Sequence, residues 1–358
     1  MFPARRRTLF CVTLVSLSLM IMLLLTPNWS PPGRPARLSR QQDRMQQTRH
    51  TTVTGRGSSR GGGGNSNAGG RVGTGGGRVQ CPTGRFVSIS ASGRLGNKLC
   101  EYATLWALQL DDRRARPAWV LPVMQRALSP LVHGLKLPTL PDSCVKNARF
   151  RNIKYRYFNQ AATLNSRQPV LITDYPCDLS RFHKHRDTIL QQLALRDTAR
   201  LEAQRRLRQY TAPICGGGGC TYIGVHVRRT DYGAAVKRMY NGTLVGERYL
   251  RRALELCRRR YRRPAFVVSS DDLPWVRRRL RGPDLVIAGS SGAGSAGRDL
   301  ALLAQCNHTV MTHGTFGFWA AYLARGDVIV PTGFGARDSY LSVSMRKTGL
   351  NVTVVPAF

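Results

Sequence analysis

The residues with the strongest chemical character lie in Thr221–Tyr232, TYIGVHVRRTDY. Tyr222, Ile223, Val225 and Val227 form a β-branched and aromatic run that reads as a buried strand, and the chain then turns abruptly polar at Arg228, Arg229, Thr230 and Asp231. Such a switch marks the carboxyl end of a strand, beyond which open α/β sheets bind their ligands. Two adjacent guanidiniums there make a fork suited to bidentate binding of phosphate oxygens. His226 can add an imidazole hydrogen bond at the same rim. The same residues also describe an ordinary solvated arginine pair after a core strand, which is common in a chain with 55 Lys+Arg.

Two further stretches have anion-binding character. Phe86–Ile89 reads as a strand, Gly93–Asn97 as a tight loop and Lys98–Leu110 as a helix with Leu99, Tyr102, Ala103, Trp106 and Leu110 on its apolar face. Glycines let backbone amides approach an anion, and the start of a helix adds positive partial charge. Taken alone, G-x-x-G-N is also an ordinary tight turn. The turn His313–Gly317 opens a second helix of this kind. The chain has no D-x-D, only Asp111-Asp112 and Asp271-Asp272, and no G-x-x-x-x-G-K-[ST]. The metal clamp usual for sugar nucleotides and the P-loop are both missing from the sequence. Charge on a phosphate leaving group would then fall to Arg228 or Arg229, the amides near Gly93–Asn97, and the turn at His313–Gly317.

These groups need a scaffold, and the surrounding pattern supplies one. After the central strand come a helix over Glu247–Tyr261, a strand over Ala265–Val268, a helix over Leu273–Leu280 and a strand over Leu285–Ala288. A helix over Asp299–Gln305, a short strand over Thr309–Thr312, a helix over Gly317–Leu323 and a strand over Val328–Val330 follow. This alternation predicts a parallel sheet covered on both faces. Residues 85–215 make a first α/β half and 216–358 a second. Asp111–Tyr210 completes the first half with a strand near Leu171–Asp174 and an amphipathic helical stretch over Arg186–Tyr210, and carries part of an acceptor cleft. Its Asp174, Asp178 and His183 read as structural or rim residues. The arginines of Arg258–Arg260 and Arg277–Arg279 read as solvated helix faces.

Four blocks in order, Gly93–Tyr102 (GRLGNKLCEY), His226–Tyr232 (HVRRTDY), Phe266–Asp272 (FVVSSDD) and Asp299–Tyr322 (DLALLAQCNHTVMTHGTFGFWAAY), closely resemble the α-1,2-fucosyltransferases. That family moves L-fucose from GDP-fucose to galactose. The resemblance covers roughly residues 86–326. It implies a GT-B-like arrangement, two Rossmann-like halves with a cleft between them, and an inverting, metal-independent transfer to the 2-hydroxyl of a terminal β-galactose. Gly93, Arg94, Gly96 and Asn97 correspond to the G-R-x-G-N beside the donor pyrophosphate; Lys98 stands where relatives often have Gln. The donor half falls to Arg228 and Arg229 on the diphosphate, His226 and Asp299 on guanosine, and Thr315 and Gly317 on phosphate. Arg228 and Asp231 are the catalytic candidates, Asp231 as base for the acceptor hydroxyl. Asp299 also reads as a helix N-cap after Gly297-Arg298.

The chain ends and overall composition set the context. With 358 residues and 42% hydrophobic composition the chain can build real cores. Its formal charge of +36 makes a heparin- or nucleic-acid-binding protein the main rival class, with a fucosyltransferase of different linkage as the other. Arg5–Arg7 precede Leu9–Leu25, an uncharged stretch of seventeen residues that reads as an uncleaved transmembrane signal anchor with residues 1–8 in the cytosol. A cleaved signal peptide is the alternative. Residues 26–84 are rich in Pro, Gly and Arg and read as a flexible stem, with an RNA-binding tail as the weaker reading. Sequons at Asn28, Asn241, Asn307 and Asn351 agree with a luminal catalytic domain of a single-pass type II Golgi membrane protein. Of nine cysteines, Cys11 lies in the anchor and eight remain for an oxidising lumen, with Cys215 and Cys220 the best local pair. Expected partners are GDP-fucose, a β-galactoside glycan and the membrane, with a homo-oligomer as a further option. Neither a metal, another cofactor nor a nucleic acid is expected.

Overall fold

A computed structural model describes residues 80–111, 116–157, 167–216, 218–290 and 294–358. The expected anchor and all but the end of the expected stem lie outside these residues. Among the described residues no helix is long and apolar enough to cross a membrane.

The fold is mixed α/β with two sheets, every strand pairing of which is parallel. The first sheet has β1 (Val87–Ile89), β2 (Arg151–Lys154) and β3 (Val170–Thr173) in the order β1-β3-β2. The second contains β4 (Thr221–Val227), β5 (Pro264–Ser270), β6 (Leu285–Ile287), β7 (His308–Met311), β8 (Val328–Thr332) and β9 (Val352–Pro356). Its order, β6-β5-β4-β7-β8-β9, reverses direction between β4 and β7. A crevice opens at such a switch point, because connections leave the two neighbouring strands toward opposite sides. Ile223, Val225 and Val227 of β4 are fully buried, as are Phe266 and Val268 of β5, so the apolar runs in the sequence became strands covered on both faces.

Helix packing joins the two sheets. The helices Leu95–Asp111 and Gly314–Ala324 share one core, in which the Phe182 and Trp319 rings stack with centroids 5.7 Å apart. Trp319 Nε1 donates to Cys100 Sγ at 3.2 Å. Disulfides join Cys81 to Cys144, Cys100 to Cys177, and Cys215 to Cys220. The last is the pair expected from the glycine loop, while Cys257 and Cys306 are buried and free.

Several element boundaries differ from the sequence reading. The helices expected to start at Lys98 and Gly317 start at Leu95 and Gly314, so Gly96 and Asn97 lie in a first helical turn rather than in the expected loop. The stretch Arg186–Tyr210 is two helices, Arg186–Gln192 and Asp197–Cys215, interrupted where Leu195 pairs with Val132 in an isolated antiparallel bridge. A tertiary pairing overrides helical propensity there. The helix expected over Asp299–Gln305 runs over Ser295–Leu303, with Gly294 in the left-handed region as its N-cap. Asp299 is therefore inside the helix, and the capping role is excluded. Asp178, by contrast, caps the helix Leu179–Phe182, accepting from Arg181 N at 3.1 Å and from Tyr155 Oη at 2.6 Å.

Candidate active site

The carboxyl ends of β1, β3, β4, β5, β6 and β7 lead into one cavity of about 650 Å³. β1 leads to Gly93, Arg94, Gly96 and Asn97; β4 to Arg228 and Asp231; β7 to His313 and Thr315. His226 and Asp299 line the same space. Residues separated by most of the chain thus meet at the switch point and at the facing end of the first sheet. Two contacts fix the junction. Thr315 Oγ1 donates to Asn97 Oδ1 at 2.7 Å. A Cβ on Gly96 would lie 2.6 Å from Phe316 N, so only glycine permits the two helix starts to approach this closely.

Arg228 is the best-held cation in the cavity. Its side chain is 13% exposed, and its guanidinium pairs with both Asp231 and Asp271. Thr312 Oγ1 accepts from Arg228 N at 2.9 Å. Asp271 also accepts from Arg229 N at 2.8 Å and from the Thr230 hydroxyl. Asp231 reaches a second cation, Arg94, at 3.2 Å. The two carboxylates orient the fork, and Arg94 sets a second guanidinium at the mouth against Asp231.

Arg229 takes the opposite direction. It lies over the Trp275 ring, 3.8 Å from the centroid, with Asp272 at 3.7 Å, and does not line the cavity. Of the two guanidiniums left open by the sequence, only Arg228 faces the site. Gly317 is also off the cavity wall. It is buried beneath His226, and a Cβ there would lie 2.7 Å from His226 Nδ1 and 2.9 Å from Met311 Cβ. Its contribution is to seat the imidazole rather than to touch phosphate. Gly317→Ala is expected to cost about 1–3 kcal/mol of stability through overpacking, measured by urea unfolding.

His226 is buried and tilted against Phe316, with ring centroids 4.9 Å apart. Burial, reinforced by the nearby charge of Arg228, pushes its pKa down to about 3, so the ring is a neutral hydrogen-bonding group. His313 behaves alike: burial lowers it to about 4, and its Nε2 accepts from Val245 N at 3.3 Å.

Asp299 is 5% exposed and works in a network. Ser269 Oγ donates to it at 2.9 Å, Ser290 Oγ at 2.6 Å and Ser290 N at 3.0 Å. Arg206, buried on the helix Asp197–Cys215, donates to Ser290 Oγ at 3.1 Å. A buried carboxylate held by hydroxyls that can rotate is able to accept from an amide-like N–H edge entering the cavity.

Residues 79–343 match the model of glycosyl transferase family 11. The chain belongs to this family. It is 41% identical to the Bos taurus galactoside 2-alpha-L-fucosyltransferase SEC1 over 71% of this chain and 68% of that protein. It is 40% identical to the Sus scrofa galactoside alpha-(1,2)-fucosyltransferase 2, over 70% and 74% respectively. Among solved structures, a mutant Arabidopsis thaliana FUT1 in complex with GDP is similar at TM-score 0.45 and 14% identity, over 74% of this chain and 73% of that one. Family membership disfavours the polyanion-binding alternative. The arginines of 258–260 and 277–279 are exposed, and four of them pair with acids: Arg258 with Asp284 at 2.7 Å, Arg259 with Glu255 at 3.4 Å, Arg260 with Asp327 at 3.9 Å and Arg279 with Glu247 at 3.4 Å.

Within this family-11 site, the sequence reading missed Asp271, Arg206, Ser290 and Tyr175. Asp271 had a signal, as the polar residue closing the run Phe266–Ser270; the others had none beyond composition. It also missed Glu101, a buried residue of the helix Leu95–Asp111 whose Oε1 accepts from Ser92 N at 3.1 Å and so braces the glycine loop. Its Oε2 has no partner among the described residues. Burial pushes its pKa from 4.5 up to about 7. The folded protein then holds a proton that the unfolded chain releases. This group's stabilisation is complete below pH 4.5 and is lost as pH rises through about 7. Glu101→Gln is expected to remove roughly 2–3 kcal/mol of stability difference between about pH 5 and about pH 8, in urea unfolding at both values.

Proposed function

We propose that the protein transfers L-fucose from GDP-fucose to the 2-hydroxyl of a terminal β-galactose, in one in-line displacement that inverts the anomeric carbon and requires no metal. The observation that carries this reading is the convergence of Arg228, Arg94, Asn97 and Thr315 at the switch-point cavity of a family-11 chain. The names of the family relatives supply the acceptor and the linkage. The two sheets with a cleft at their strand ends agree with a GT-B-like arrangement.

The chemistry follows from charge. As the bond from fucose C1 to the diphosphate breaks, negative charge grows on the leaving GDP. Arg228 neutralises it through paired N–H bonds, and the backbone amides opening the helices Leu95–Asp111 and Gly314–Ala324 add partial positive charge. Because the sequence has no D-x-D, these groups do the work assigned elsewhere to a cation. His226 and Asp299 hold the guanosine. Asp231, between Arg228 and Arg94, takes the proton of the acceptor hydroxyl as its oxygen bonds to C1. The protein is further proposed to be a type II Golgi membrane protein anchored by residues 9–25, a placement that the basic Arg5–Arg7 flank and the sequons support.

Incubation of the purified protein with labelled GDP-fucose and a panel of β-galactosides in EDTA tests the reading. Transfer in EDTA with an α-1,2 linkage by NMR is expected. Transfer to a different hydroxyl, loss of transfer in EDTA, or no transfer at all each contradicts part of it.

A further inference from the structure

Carbohydrate acceptors carry an apolar C–H face as well as hydroxyls, so a site for them needs an aromatic plane open to solvent. Five aromatic or imidazole residues line the cavity: Tyr175, His226, Tyr232, His313 and Phe316. Four have a neighbour on the ring. His226 and Phe316 face each other, Tyr232 stacks on His313 at 5.6 Å, and the Arg228 guanidinium lies 5.6 Å from the Tyr232 centroid. Tyr175 is different. It is 53% exposed, and its hydroxyl has no hydrogen-bond partner among the described residues.

An exposed tyrosine on a loose loop would mean little, but this one is held at a conformational cost. Asp174 and Tyr175 are consecutive non-glycine residues in the left-handed region, with φ of 76° and 52°. Left-handed backbone is unfavourable for L residues and persists where the surroundings impose it. Here β3 ends at Thr173 just before the pair, Pro176 is buried just after it, and Cys177 is bonded to Cys100 of the helix behind the glycine loop. The ring edge rests on that loop, since a Cβ on Gly93 would lie 3.1 Å from Tyr175 Cε1. The strand end, proline and disulfide fix an open aromatic face at the mouth shared with Arg94 and Asp231.

We propose that Tyr175 is the acceptor platform, its exposed ring receiving the apolar face of the terminal galactose and so setting acceptor affinity. This rests on the reading of the site as a galactoside fucosyltransferase. Galactose suits the platform because its axial 4-hydroxyl leaves the C–H groups of C3, C4 and C5 together on one side. The ring face, not the hydroxyl, makes the contact.

Tyr175→Gly is the informative variant, because glycine adopts the left-handed conformation without strain. Its thermal midpoint should equal or exceed that of the parent, and GDP affinity by calorimetry should be unchanged. The acceptor KM should nevertheless rise roughly 10- to 100-fold, and saturation-transfer NMR signals from the β-galactoside should vanish. Tyr175→Phe should restore acceptor binding. An unchanged acceptor KM in Tyr175→Gly, or a matching loss of GDP affinity, overturns the platform while leaving the transferase reading intact. Binding of galactoside by the parent and its loss in Tyr175→Gly, with no transfer by the parent, keeps the platform and overturns the transferase reading. A parent protein that neither binds nor fucosylates a galactoside sinks both.

Discussion

Arg228→Lys is expected to lower kcat/KM for GDP-fucose by about 10²- to 10³-fold, the loss typical of one preorganised donor removed from a developing negative charge. Lysine keeps the charge but not the planar fork, and only the fork can pair with two diphosphate oxygens at once. The surroundings sharpen the effect. Asp231 and Asp271 both bond the guanidinium, so a lysine ammonium there would be drawn between two carboxylates and away from the ligand. Steady-state kinetics with GDP calorimetry gives the answer, and the neighbouring arginine is the control. Arg229→Lys removes a guanidinium stacked 3.8 Å above Trp275 outside the cavity, and should cost about 0.5–1 kcal/mol of stability with little effect on transfer. Equal kinetic losses in the two variants would show that position in the site is not what distinguishes them.

Asp299→Asn is expected to weaken GDP binding roughly 10- to 100-fold and to erode the preference for GDP over ADP. A buried hydrogen bond to a charged acceptor contributes about 1.5–3 kcal/mol, and the amide would present a donor where the guanine N–H edge needs an acceptor. The same change also sets an N–H against Ser290 N, so stability should fall as well. Calorimetry with GDP, ADP and UDP separates the two consequences. A stability loss alone lowers the folded fraction and leaves the nucleotide ranking intact, whereas a lost guanine contact changes the ranking.

The central strand was legible because a β-branched run buries best on a covered sheet and must stop where charge begins, and β4 runs over Thr221–Val227 as that pattern requires. The strand and helix alternation after it was legible for the same reason. What could not be read were facts created by tertiary contact. Arg228 and Arg229 are equivalent as letters, and only the position of Trp275 and Asp272 decides which one turns from the cavity. Asp299 matched a cap in sequence, yet Gly294 starts the helix a turn earlier and leaves the carboxylate facing Ser269 and Ser290. Arg206 is one arginine among many on an amphipathic helix until folding buries it against Ser290. Tyr175 follows a short strand with nothing local to mark it; its exposure and its place at the cavity depend on a disulfide to a distant helix.

The central claim is that the switch-point cavity holds the donor with its diphosphate on Arg228 and its base at Asp299. A crystal structure of the protein with GDP tests this most directly. The account predicts diphosphate oxygens in bidentate contact with Arg228, backbone amides near Asn97 and Thr315 within hydrogen-bond reach of them, and the guanine N–H edge directed at Asp299. GDP bound elsewhere, or bound in the cavity while Arg228 stays paired only with Asp231 and Asp271, would contradict it.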